Sequence, residues 1–135
     1  MVDYLTPNEI EAAFLADEHS ASLALDGAYL LNSKFNIKNL VITLGKKGAA
    51  IIGYHNQIVP PPHAHSIDTT GAGDAFNGGP VVALARGDTL FNAVKFANAV
   101  ASLSTTRSGA QPSMPTLDEA IVFLDSQNSA ESSRK

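Results

Sequence analysis

The run Asp68-Thr69-Thr70-Gly71-Ala72-Gly73-Asp74-Ala75-Phe76-Asn77 dictates what the middle of this chain can become. Three small residues stand between two acids and lead into the apolar run Val81 to Ala85, a spacing that predicts a tight turn opening a helix. The first turn of such a helix presents N–H donors with no intrahelical partner, together with the positive end of the macrodipole, and glycines let an anion approach the backbone closely. Asp74 falls inside that turn, where a carboxylate can take a proton from a hydroxyl while N–H groups stabilise developing negative charge. A glycine turn with an Asp near a helix start is also common architecture, and the residue types alone leave both readings open.

Strands and helices alternate around this stretch. Val2 to Thr6 reads as a strand stopped by Pro7, after which Asn8 caps a helix from Glu9 to about Ala16. A second helix is expected from about Ser20 to Leu31, followed by a loop from Asn32 to Asn39. Leu40 to Leu44 suits a buried parallel strand, which completes a strand-helix-strand unit. Gly45-Lys46-Lys47-Gly48 predicts a tight turn, and the segments Ala49 to Tyr54 and Gln57 to Pro60 a hairpin around His55-Asn56. Helices are then expected from Ala72 to Arg86, ended by Gly87, and from a cap at Asp88 or Thr89 to about Thr105, the latter with an apolar stripe wide enough for burial on more than one side. Thr116-Leu117-Asp118-Glu119 reads as a capping box opening the last helix, and from Ser126 the polar composition predicts a disordered tail, residues 126–135. The pattern implies a layered α/β fold.

Composition narrows the functions. A formal charge of -4, with nine Lys and Arg scattered along the chain, provides no basic stripe for nucleic acid. The absence of cysteine excludes disulfides and thiolate metal sites. No apolar run approaches the roughly 20 residues of a membrane span, and acids interrupt the N-terminus, so neither a membrane nor a signal peptide is expected and a cytoplasmic location is the default.

Known phosphate motifs fail on inspection. Gly45-Lys46-Lys47-Gly48 lacks the P-loop spacing, and after Gly71-Ala72-Gly73 the third dinucleotide glycine is missing. His63 and His65 lie two apart without a third ligand and read as surface residues. Asn8 and Glu11 share a helix face, and by themselves they read as a cap and a solvated acid.

Asp68 to Gly78 nevertheless resembles the signature of the ribokinase family of carbohydrate kinases. Three further segments match in order: Thr6 to Ala12, Ile42 to Gly48, and Thr106-Arg107-Ser108-Gly109-Ala110-Gln111-Pro112-Ser113, the last most similar to the ribokinase branch. The resemblance covers about residues 2 to 125. It implies ATP-dependent phosphorylation of a sugar hydroxymethyl group, D-ribose in the first instance. By position, Asp74 would be the general base, and the N–H groups of Gly71, Ala72 and Gly73 the anion hole. Asn8 and Glu11 would organise Mg²⁺ and phosphate through water, which suits an ion that keeps much of its hydration shell. Thr43, Gly45 and Gly48 would lie along the nucleotide, and Asn98 near the adenine. Asp68, Thr70, Gly109 and Ser113, with backbone near Ser104, would hold a monovalent cation such as K⁺.

The resemblance further implies the C-terminal, nucleotide-binding and catalytic part of a three-layer α/β/α fold with a mostly parallel central sheet, residues 1–125, with the N-terminal half and the β-lid absent. A chain of that kind is expected to bind ATP and to transfer phosphoryl poorly alone, because both substrates must be held in line. Exposed sheet edges would favour association, a homodimer included. A non-catalytic nucleotide- or partner-binding remnant is the alternative. Pro80, inside the Ala72 to Arg86 helix, departs from the family pattern and predicts a kink near Asn77 that would bear on Asp74.

Overall fold

A computed structural model describes residues 2–16, 26–53 and 56–134. The chain divides into two compact units, Met1–Val59 and Pro60–Lys135.

The first unit is a sheet with helices. Strand β1 (Tyr4–Leu5) leads through Pro7 into helix α1 (Glu9–Leu15), followed by α2 (Asp26–Phe35), β2 (Asn39–Thr43), a 3-10 turn (Gly45–Lys47), β3 (Ala49–Ile52) and β4 (Gln57–Val59). Sheet order is β1-β2-β3-β4. β1 runs parallel to β2, with Tyr4 opposite Asn39, whereas β2/β3 and β3/β4 are antiparallel. The α/β class therefore holds, but among the described residues the sheet is mixed rather than mostly parallel. The cause is local: Gly45 (φ 55) and Gly48 (φ 91) adopt left-handed-side conformations that reverse the chain and return β3 alongside β2. Leu31, Leu40, Ile42 and Ile52 are fully or nearly fully buried in this unit's core, together with Ala12 and Ala28.

One boundary in this unit differs from the periodicity reading. α2 continues past Leu31 to Phe35, because Asn32 and Ser33 are tolerated on a helix and the stop comes at Asn36, whose φ of 48 is a left-handed cap. The expected start near Ser20 lies outside the described residues, as do Tyr54 and His55 in the hairpin turn; there the Gly53 N–H donates to Asn56 Oδ1 at 3.3 Å.

The second unit is helical: α3 (Ala72–Ala85), α4 (Leu90–Ser104), a 3-10 turn (Gln111–Ser113) and α5 (Leu117–Ser132). α3 and α4 approach closely at Gly79, and Ala83, Ala93, Phe96 and Ala120 form a core with Leu84, Val100, Ile121 and Leu124. On α4 the buried residues Ala93, Val94, Phe96, Ala97, Asn98 and Ala99 point in several directions, as its wide stripe requires. Helical assignment runs without interruption through Pro80, whose ring is buried. α5 also outlasts its expectation, remaining helical from Ser126 to Ser132. Its serine hydroxyls donate back to carbonyls of the preceding turn, Ser129 to Asp125 and Ser132 to Asn128, both at 3.0 Å, so the polar composition is absorbed by the helix.

Candidate functional site

In the first unit, the C-terminal ends of the parallel strands β1 and β2 lie side by side, the end of a parallel sheet at which ligands are generally bound. The Thr43 N–H donates to the Pro7 carbonyl at 3.0 Å, and Asn8 and Thr43 form a parallel bridge, so two of the nucleotide-side candidates are neighbours. Asn8 Oδ1 accepts the Glu11 N–H at 2.8 Å, and Glu11 Oε2 accepts the Asn8 N–H at 2.9 Å. Glu11 is thus half of a reciprocal capping box rather than a solvated acid, as the Asn-x-x-Glu spacing could have signalled. Both residues are exposed, and a carboxylate retains lone pairs beyond the one used, so the donor set suits water-mediated contact with a hydrated Mg²⁺. The turn that follows is closed by the Leu44 N–H to the Gly48 carbonyl at 2.8 Å and the Gly48 N–H to the Gly45 carbonyl at 3.1 Å. It exposes Lys46 and Lys47, two cations beside the β2 terminus.

In the second unit, Gly71 is the N-cap of α3 with φ 77, a conformation that penalises any side chain. A Cβ there would also sit 3.1 Å from both Cα and Cβ of Ala110. The Ala75 N–H makes the first helical bond to the Gly71 carbonyl at 2.9 Å, and the Ala72 N–H donates to the Thr69 carbonyl at 3.2 Å. Of the expected anion hole, the Ala72 donor is therefore drawn into the turn. Gly73 and Asp74 occupy first-turn positions, where N–H groups lack an intrahelical partner by the geometry of a helix. Asp74 is exposed and borders a cavity of about 220 Å³ lined mainly by apolar groups, among them Val82, Phe96, Val100, Met114 and Leu117.

Asp68 ties the segment before α3 to the loop after α4. Its Oδ1 accepts the Thr70 N–H and its Oδ2 the Gly109 N–H, each at 2.9 Å, while the Thr105 carbonyl accepts the N–H groups of Ile67 (2.7 Å) and Asp68 (3.0 Å). The Gly109 N–H first, and the Thr70 hydroxyl and N–H after it, lower the Asp68 pKa from 3.8 to about 2, so the carboxylate is ionised at neutral pH. Ser113 is fully buried, its Oγ donating to the Ala110 carbonyl at 2.6 Å; Ser104 is also buried, its Oγ donating to the Ala101 carbonyl at 2.8 Å and its own carbonyl accepting the Arg107 N–H at 3.3 Å. Each hydroxyl proton is thereby committed to a neighbour. The remaining oxygen lone pairs and one fixed anion are a donor set that fits a large monovalent cation. Among the described residues no cluster of three His, Cys, Asp or Glu suits a transition metal, and His63 and His65 are exposed.

Asn98 is buried within α4. It is 3% exposed, with its Nδ2 donating to the Pro60 carbonyl at 3.5 Å. Sequence reasoning missed a feature of this unit, the Arg107–Glu119 pair. One guanidinium nitrogen lies 2.6 Å from Glu119 Oε1 and the other 3.5 Å from Oε2. A contact between a loop and a helix has no periodic signature, so nothing in the spacing could have announced it.

Arg107 chiefly, then the Thr116 N–H, lowers the Glu119 pKa from 4.5 to about 2. Depressed carboxylate pKa values stabilise the folded state above the unfolded values, and that stability is lost as pH falls through the folded ones. The thermal midpoint of the chain is accordingly expected to hold above about pH 5 and to fall progressively toward pH 2. In melts across that range, Glu119→Gln should show a shallower acid decline from a lower starting point; an unchanged slope would contradict the assignment.

A family model described as pfkB family carbohydrate kinase matches residues 1–117. Ribokinase of Haemophilus influenzae is 40% identical over 131 residues, which is 93% of this chain and 42% of that protein. Among solved structures, Arabidopsis thaliana ribokinase complexed with ribose and ATP superposes with a TM-score of 0.80 at 32% identity, covering 90% of this chain and 40% of that one. A double mutant of Vibrio cholerae fructokinase, with fructose, ADP and potassium ion bound, has a TM-score of 0.77 at 36% identity over 90% of this chain and 40% of its own. The chain thus spans about two fifths of the length of the relatives it matches. Among the described residues no helix is long and apolar enough to cross a membrane. The glycine turn that opens α3 onto Asp74, and a family match over residues 1–117, lead to one conclusion: the chain belongs to the pfkB family of carbohydrate kinases.

Proposed function

We propose that this polypeptide serves the transfer of the γ-phosphoryl group of ATP to a sugar hydroxymethyl group, D-ribose in the first instance. The observation that carries the reading is Asp74 on the first turn of α3, next to N–H groups that a left-handed Gly71 leaves facing outward. Asp74 takes the hydroxyl proton, the sugar oxygen bonds to the γ-phosphorus, and the bond from that phosphorus to the β-phosphate oxygen breaks to release ADP. The backbone of Gly71, Ala72 and Gly73 cradles the transferring group, with Gly73 the principal donor because the Ala72 N–H is engaged. Thr43, Gly45 and Gly48 would lie along the nucleotide, Asn8 with Glu11 would meet hydrated Mg²⁺, and Asn98 would stand near the adenine. When bound, Mg²⁺ would supply charge neutralisation at the phosphates, and Asp68, Thr70, Ser104, Gly109 and Ser113 would hold K⁺ as a fixed positive charge.

Ribose is favoured because ribokinases are prominent among the relatives. These residues span about two fifths of such proteins, which supports a second reading: a nucleotide- or partner-binding chain with little turnover of its own. Ile10 (75% exposed) and Phe14 (81%) on α1, in the unit whose outer strand is β1, support self-association.

Calorimetry with a non-hydrolysable ATP analogue, Mg²⁺ and K⁺ tests what both readings share. Binding in the millimolar range is expected, together with its loss in Gly71→Val, where left-handed backbone and contact with Ala110 both oppose the side chain. No heat and no thermal shift at millimolar nucleotide would overturn the proposal.

A further inference from the structure

The candidate cation loop, residues 105–113, is fastened at two places. On one side the Thr105 carbonyl and the Gly109 N–H hold Ile67 and Asp68. On the other, Arg107 reaches Glu119 with both terminal nitrogens, a fork that fixes direction as well as distance. Glu119 is itself immobilised, since its Oε2 accepts the Thr116 N–H at 2.8 Å and its N–H donates to Thr116 Oγ1 at 3.3 Å. α5 in turn is anchored through the buried Ala120 in the core shared with Ala93 and Phe96. The side chains of the pair are 39% and 41% exposed, and ion pairs so open to water add little to stability. Ordering two long side chains for so small a return makes sense where orientation matters.

We propose that Arg107 and Glu119 are positioning residues for the cation loop: by anchoring the loop to α5 two residues before Gly109, they hold the Gly109 N–H against Asp68 and shape the oxygen cage for a monovalent cation. The inference rests on the cation site proposed above. Neither side chain touches the ion; the pair acts through Asp68 and the loop backbone.

Thallous ion, a spectroscopic stand-in for K⁺, can be titrated into the full chain against a choline background and followed by ²⁰⁵Tl NMR. The wild-type chain should bind it. Arg107→Met and Glu119→Gln should each weaken binding by about 10- to 100-fold, the usual cost of removing an outer partner of a metal site, with far-UV circular dichroism unchanged. Arg107→Lys, which keeps the charge and loses the fork, should fall between. Equal affinity in Arg107→Met would overturn the positioning role while leaving the cation site in place. Absence of binding in the wild-type chain would remove the site itself, and the inference with it.

Discussion

Gly79→Ala is expected to destabilise the second unit although alanine is the better helix former. A helix-interior glycine costs about 1 kcal/mol relative to alanine, so propensity alone favours the change. At Gly79, however, a Cβ would lie 2.6 Å from Ala97 Cα, 3.0 Å from Ala97 Cβ and 3.2 Å from Ala97 N. Two of these atoms are backbone of the buried face of α4, so no rotamer change relieves the contact and the helices must part. Overpacking of that kind costs about 1–3 kcal/mol, and backbone contact puts this site at the upper end. Gly78 is the control, because a Cβ there meets nothing within 4 Å. Gly78→Ala should therefore stabilise by about 0.5–1 kcal/mol. At about 4–8 °C per kcal/mol for a unit this small, the two neighbouring substitutions should move the thermal midpoint in opposite directions, and Gly79→Val further down than Gly79→Ala. Equal shifts for Gly78→Ala and Gly79→Ala would contradict the close α3/α4 approach.

Asp74→Asn is expected to lower phosphoryl transfer by about 10²- to 10⁴-fold, the range associated with a positioned general base. The amide keeps the size of the carboxylate and loses its capacity to accept the hydroxyl proton. Stability should hardly register the change: a negative charge at an exposed position on the first turn of a helix contributes about 0.3–1 kcal/mol through the macrodipole. Nucleotide affinity should be kept or slightly raised, since a carboxylate close to a polyphosphate repels it. Single-turnover rates measured beside ATP-analogue affinity separate these effects. A loss of affinity matching the loss of rate would make Asp74 a binding residue and not the base.

Much of the helical unit was legible because its signals are short-range. Thr116 and Glu119 spell a capping box and form one, Thr89 caps α4, and Gly87 (φ 87) lies just beyond the end of α3. The turn at Gly71 was visible for the same reason, since left-handed backbone selects glycine. The reversal between β2 and β3 was readable from the tight turn at Gly45 to Gly48, but the alternation of strands and helices does not fix how many strands run parallel. Features built from distant residues left no trace. Arg107 meeting Glu119 and Gly79 resting on Ala97 depend on how helices pack, which no local pattern encodes. The length of α5 misled in the other direction, because serines that disfavour a helix in isolation are satisfied by bonding back to its carbonyls.

The most direct measurement is the rate of ATP-dependent ribose phosphorylation by a chimera in which residues 2–125 of this chain replace the matching segment of Haemophilus influenzae ribokinase. Sustained turnover that requires Asp74 is the predicted result. A folded chimera that binds ATP and transfers no phosphoryl group would contradict the assignment of the α3 turn as the phosphoryl-transfer centre.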